Sequence, residues 1–128
     1  MKKLSTLFAI VAVTTTLGVA GCKKLDLFKA GAQGPLNTSC RSCHGGGNAS
    51  ATSAMNITGV DGTDEPTLQK ACNEVRDRVN FQTIEQSGIV MASAPGNINH
   101  PFKFGTAAAH DAFKTALDPW IVGERDAP

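Results

Sequence analysis

Cys40-Arg41-Ser42-Cys43-His44 is the stretch on which the reading of this chain turns. Two thiols separated by two residues fall on one side of a helical turn. There they can add to the two vinyl groups on one porphyrin edge, and the next residue can reach the iron. The run therefore implies one covalent c-type haem, with Cys40 and Cys43 as thioether carriers and His44 as proximal ligand. The His44 imidazole then needs an acceptor on its other ring nitrogen to fix its orientation. Three other readings compete. A redox dithiol requires a low-pKa thiol within a thioredoxin-like βαβ pattern, and no strand pattern precedes Cys40. A zinc site requires a second ligand pair, and Cys72 with His100 or His110 has the wrong spacing. A Cys40–Cys43 disulfide closes a loop short enough to be strained.

Outward toward the N-terminus, Met1-Lys2-Lys3 is a short basic segment, and Leu4 to Val19 is an almost unbroken run of apolar and small residues. This is the anatomy of a secretory signal, too short and wrongly flanked for a membrane span. Haem attachment of this kind takes place outside the cytoplasm, so signal and motif support each other. The closing Val19-Ala20-Gly21-Cys22 resembles the lipobox of bacterial lipoproteins. That resemblance implies removal of residues 1–21 and lipidation of Cys22, with residues 22–34 as lipid anchor and tether and residues 35–128 as the haem domain. Acyl chains on Cys22 suffice for stable membrane attachment without a span. Lys23 after the cysteine leans toward the outer membrane, on the periplasmic side of the envelope.

The chain has 128 residues, one domain's worth. With Lys2 and Lys3 removed, its 12 basic residues become 10 against 11 acidic, a formal charge of −1. Nothing in that balance points to nucleic acid. A chain this small builds only a thin core from its own side chains, and covalent haem is the staple such domains need.

Beyond the motif, Gly45-Gly46-Gly47 ends the helix that carries the cysteines, and Asn48 to Gly62 reads as a loop along the haem edge. Thr63-Asp64-Glu65-Pro66 is a helix start, and Leu68, Cys72, Val75 and Val79 recur at helical spacing, which predicts an amphipathic helix over 66–79. Cys72, on the apolar face, reads as an inert buried thiol. Thr83 to Gln86 is a helical turn broken by Ser87-Gly88, and a long irregular run occupies Ala92 to Phe104. Thr106 can cap a final helix with Ala109, Phe113, Leu117, Trp120 and Ile121 as its apolar stripe, kinked or restarted at Pro119. His110 falls beside that stripe and reads as exposed.

The motif near the mature N-terminus, the helix order and the terminal helix together resemble the class I cytochrome c fold over about residues 35–122. More narrowly, Cys40 to Gly47, Ala71-Cys72, Ser87 to Met91, His100-Pro101 and Pro119-Trp120-Ile121 are similar to small cytochrome domains of myxobacterial and planctomycete lipoproteins. The resemblance implies an all-α domain of three or four helices around one haem. Met91, 47 residues after His44, stands where short class I cytochromes carry a distal methionine, but Ala92 and not Pro follows it. In the narrower group a histidine before the terminal helix is the distal candidate, which here is His100. We favour His100, with Met91 as the alternative and Met55, His110 or an open site behind them. The expected function is single-electron transfer between redox partner proteins by a membrane-anchored carrier that is not an enzyme. The rival is a haem-based small-ligand sensor with a labile sixth ligand.

Overall fold

The structure is a computed structural model that describes residues 21–128. The expected signal over 1–21 lies, but for Gly21, outside the described residues. The described chain is all helical, with no strand. Helix α1 occupies residues 25–39 in three consecutive pieces, an α-helical Leu25–Leu27, a π-helical Phe28–Ala32 and an α-helical Gln33–Ser39. Pro35 sits inside it. Proline cannot donate to the carbonyl four residues back and its ring crowds that carbonyl, here Gly31, so the wider π turn just before it relieves the clash. One turn of helix, α2, follows at Arg41–His44, then α3 at Ala49–Ala54 and α4 at Glu65–Arg76. A 3₁₀ turn at Ile84–Gln86 leads into α5, Gly88–Ser93, and α6 spans Ala107–Asp126.

The core forms where α1 crosses α6. Phe28, Ala32 and Leu36 are fully buried on one face of α1, against Phe113, Leu117, Trp120 and Ile121 of α6. The Phe28 and Trp120 rings meet edge to face, 5.3 Å between centres, the geometry that ring quadrupoles favour. Backbones touch at the crossing: a Cβ on Gly31 would stand 2.7 Å from the Ala116 carbonyl oxygen. Residues 22–34 are thus an integral wall of the domain and not a tether. The mixed polarity that suggests a linker hides one apolar stripe, Phe28, Ala32 and Leu36, at four-residue spacing.

Helix α4 starts where expected, but its N-cap is Asp64, whose carboxylate accepts from the Thr67 backbone N–H at 3.0 Å. It ends at Arg76, three residues early, where the Arg78 and Val79 N–H groups donate to the Val75 and Arg76 carbonyls three residues back and tighten the turn; Asn80 Oδ1 then accepts from Gln82 and Thr83. Thr106 caps α6 as expected, accepting from the Ala109 N–H at 3.2 Å. Pro119 lies on the exposed face, and the helix runs through it. The stripe begins one residue later than expected. Ala109 is exposed, and His110 is buried, its Nε2–H donating to the Val90 carbonyl at 3.0 Å beneath the Phe104 ring. Position 110 is i−3 to Phe113 and i−7 to Leu117, so it shares their face.

Cys22 and Cys72 are joined by a disulfide. A sulfur so bonded has no valence for the lipid thioether expected at Cys22, and Cys72 is not the free thiol expected of it. Among the described residues no helix is long and apolar enough to cross a membrane.

The α1–α6 crossing gives a paired prediction. Gly31→Ala forces a methyl against backbone and is expected to cost about 1–3 kcal/mol. Gly34→Ala, three residues on, meets no atom of another element within 4 Å of its added Cβ and carries only the local strain of a side chain before Pro35, so it is expected to cost less than Gly31→Ala. Urea denaturation followed by circular dichroism reads the difference.

Candidate haem site

Helix α1 ends at Cys40, and the chain tightens there into the single turn α2. The backbone N–H groups of Cys43 and His44 both donate to the Cys40 carbonyl, at 3.3 and 3.0 Å, which sets the two thiols and the imidazole on successive steps of one turn. Reversal of the chain after His44 needs glycine. Gly46 has φ +107°, and a Cβ on Gly47 would lie 2.2 Å from the Ser42 carbonyl oxygen. Two side chains brace this turn against the loop that follows α3. Gln33 donates to the Val60 and Gly62 carbonyls, each at 2.8 Å, and Arg41 pairs with Asp61 at 2.6 Å.

His44 is held at two points on the next segment. Its carbonyl accepts from the Ile57 N–H at 3.1 Å, and its Nδ1 lies 3.0 Å from the Met55 carbonyl oxygen. A carbonyl only accepts, so Nδ1 carries the proton and Nε2 keeps its lone pair for a metal. The same arrangement recurs across the cavity. His100 Nδ1 lies 2.5 Å from the Phe102 carbonyl oxygen, which again leaves Nε2 as the basic nitrogen.

The two imidazole rings stand 6.1 Å apart, centre to centre, with their planes 9° from parallel. A transition-metal–imidazole bond runs about 2.0–2.1 Å, so two of them end to end, with half of each ring added, span about 6 Å. Both rings line one mostly apolar cavity of about 470 Å³, together with Cys40 and Cys43. A volume of that order suits a cofactor-sized guest. Two thiols on one wall, two near-parallel imidazoles with centres 6.1 Å apart, and an apolar lining fit a covalently held haem.

Helix α3 forms one wall through Ala51 and Ala54, where the sequence reads as loop. The overlooked signal is Asn48, whose Oδ1 accepts from the Ala51 N–H at 3.0 Å as an N-cap. Helix α5 forms another through Gly88, Ile89, Ala92 and Ser93. Met91 falls between those positions, is 55 % exposed and does not line the cavity. The other candidates are also accounted for. Met55 lines the cavity from the core, and His110 is engaged with Val90. No family model matches this chain, and neither curated proteins nor solved structures give a match.

The segment carrying His100 is anchored at both ends. Asn97 Nδ2 donates back to the Met91 and Ala92 carbonyls at 2.9 and 3.2 Å, latching the loop to the end of α5. Phe104 packs on Phe102, His110 and Phe113, and its N–H donates to the Ser93 carbonyl at 3.0 Å. Arg78 lines the cavity and donates to the Ala54 carbonyl. It is the only Lys or Arg among the lining residues.

The competing readings of Cys40 and Cys43 fare differently from the haem reading. Both are free thiols. Burial, with a smaller contribution from Cys43, pushes the Cys40 thiol up to about 11. An attacking redox cysteine needs the opposite shift. Among the described residues, the group of three or more metal-binding side chains is Cys22, Cys72 and Glu124, and includes neither Cys40 nor Cys43. A raised thiol pKa means that the folded chain holds the proton, so the stabilisation is complete below 9.0 and is lost as pH rises toward about 11. In the haem-free protein, iodoacetamide is expected to alkylate Cys40 slowly at pH 7–9 and faster toward pH 11. Peptide mass spectrometry reads the rate at that cysteine; half-maximal alkylation near an ordinary thiol's pKa would contradict the shift.

Proposed function

We propose that this protein is an exported, class I-like c-type cytochrome that carries one haem on Cys40 and Cys43, with His44 and His100 as axial ligands. It passes single electrons between partner proteins of the cell envelope. The observation that carries this reading is the pair of near-parallel imidazoles at 6.1 Å, each with its Nδ1–H spent on a carbonyl, over the two thiols of one helical turn.

When bound, the haem supplies a ferric–ferrous couple. The chain's part is to hold it and to keep its surroundings the same in both states. The Met55 and Phe102 carbonyls hold the Nδ1–H groups of His44 and His100, which orients each ring and leaves its Nε2 lone pair for iron. Two nitrogen donors set a lower potential than a nitrogen–thioether pair. Asn97 and Phe104 keep the His100 segment in place, so little rearrangement accompanies electron transfer. The apolar walls from α3 and α5 restrict water, and Arg78 offers a cation to the haem carboxylates. The sensor reading draws on one observation: His100 rides on an irregular segment and not on a helix, so its bond could open to a gas.

The protein, produced in cells able to attach c-type haem, tests these roles. The ferric form is expected to be low-spin without a methionine-to-iron charge-transfer band. Its electron paramagnetic resonance signal should be rhombic, as near-parallel imidazole planes require. His100→Ala should turn it high-spin, with added imidazole restoring the low-spin spectrum, whereas Met91→Ala should change nothing. A methionine band in the parent would remove His100 from the iron. Ready carbon monoxide binding by the ferrous parent would favour the sensor.

A further inference from the structure

The segment Gly21–Lys24 is fastened into the fold as closely as any core element. Cys22 is 8 % exposed and Cys72 fully buried. Their Cα atoms are 5.7 Å apart, within the usual range for a disulfide. The Cys22 N–H donates to Asn73 Oδ1 at 2.7 Å, and its carbonyl accepts from Gln69 Nε2 at 2.7 Å. The next two backbone N–H groups, of Lys23 and Lys24, both donate to Glu124 Oε1, at 2.7 and 2.5 Å. Glu124 is fully buried, and its other oxygen accepts from Arg76 Nε at 2.9 Å. A buried carboxylate persists only with its charge and lone pairs answered, and here two main-chain donors of the N-terminal segment answer part of them. With its oxygens so engaged, Glu124 is a clamp for the chain and not a metal ligand beside the two sulfurs.

A lipid on Cys22 would need both the sulfur that Cys72 holds and a way out of this packing. The sequence offers a second cleavage point. Gly18-Val19-Ala20 has small residues at the two positions that an ordinary signal peptidase reads, which places the cut between Ala20 and Gly21.

We propose that Cys22 is a disulfide partner and not a lipid carrier, so that the mature protein begins at Gly21, closed by Cys22–Cys72 and free of an acyl anchor. The bond forms by exchange with an envelope dithiol oxidase. One of the two thiolates attacks the oxidase disulfide and displaces one of its sulfurs as a thiolate. The second thiolate then attacks the mixed disulfide, and the oxidase leaves as a dithiol, having taken the two electrons. The two protons lost by the cysteines go to the oxidase sulfurs or to solvent. This assignment does not depend on the haem reading.

The full chain, expressed in a bacterium with both haem-attachment and lipoprotein machinery and taken from its envelope into N-ethylmaleimide, decides the matter by intact mass. The expected species begins at Gly21, gains no maleimide on the haem-attached chain before reduction and two after it, and partitions into the aqueous phase of a detergent phase separation. In Cys72→Ala, Cys22 should take up one maleimide without reduction while the absorption spectrum stays that of the parent. A species beginning at Cys22 with diacylglycerol, in the detergent phase and with Cys72 open to maleimide, overturns the proposal. So does a Gly21 species with both thiols free. Loss of the haem mass alone would sink the cytochrome reading and leave the disulfide standing, since maleimide uptake at Cys22 and Cys72 is mapped separately from uptake at Cys40 and Cys43.

Discussion

At Gly31 the backbone of the first helix meets the carbonyl of Ala116 on the last, and no side chain larger than hydrogen fits between them. Both ends of the cavity are set from that contact. Helix α1 delivers Cys40 at its C-terminus, and α6 supports, through Phe113 and His110, the aromatic cluster that ends the His100 segment. Each of these groups is carried by an element that the crossing orients. Small shifts in the approach of two helices therefore become shifts in the separation of His44 and His100, because packed interiors transmit displacement and do not absorb it.

Polar groups do unusual structural work in so small a core. Glu124, Ser87, Ser93 and His110 are buried and hydrogen-bonded, Ser93 to carbonyls of its own helix and the others across elements or turns: Glu124 to the N-terminal segment, Ser87 to Asn80, His110 to Val90. The exception is the Trp120 indole N–H, buried without a partner against Phe28. An apolar core assembled from α1 and α6 alone would leave the order of the short helices open. These bonds, which are costly to break singly, select one arrangement.

Much of the site was legible in the sequence, since covalent spacing rules are local. Cys40, Cys43 and His44 lie together on one turn, and the capped helices at 65–76 and 107–126 announce themselves through Asp64 and Thr106. Other features depend on partners that no spacing encodes. The buried face of α1 is only Phe28, Ala32 and Leu36, set between Lys, Gly and Gln residues and interrupted by Gly34-Pro35, so it reads as a linker. Asn48 caps a helix of Ala, Ser and Thr that has no apolar stripe to mark it. Position in the sequence favours His100 over Met91 only slightly as a donor, and it is the register of α5 that turns Met91 outward. Cys22 shows the same limit from the other side. A four-residue resemblance carried one reading, and the nearness of Cys72, fifty residues away, carries another.

The bridges also divide the chain in a way that backbone order does not suggest. With the proposed haem attached, the disulfide and the two thioethers would all fall within residues 22–72, a closed and branched network with the cofactor as one node. Everything after residue 72, including His100, α5 and α6, would hang from that network by a single peptide link and return to it through packing, hydrogen bonds such as those of Glu124 and Arg78, and one coordinate bond. The iron would then act as a built-in strain gauge: any loosening of the C-terminal half is felt first as a weakened distal bond, and the colour of the protein reports the state of its tertiary structure.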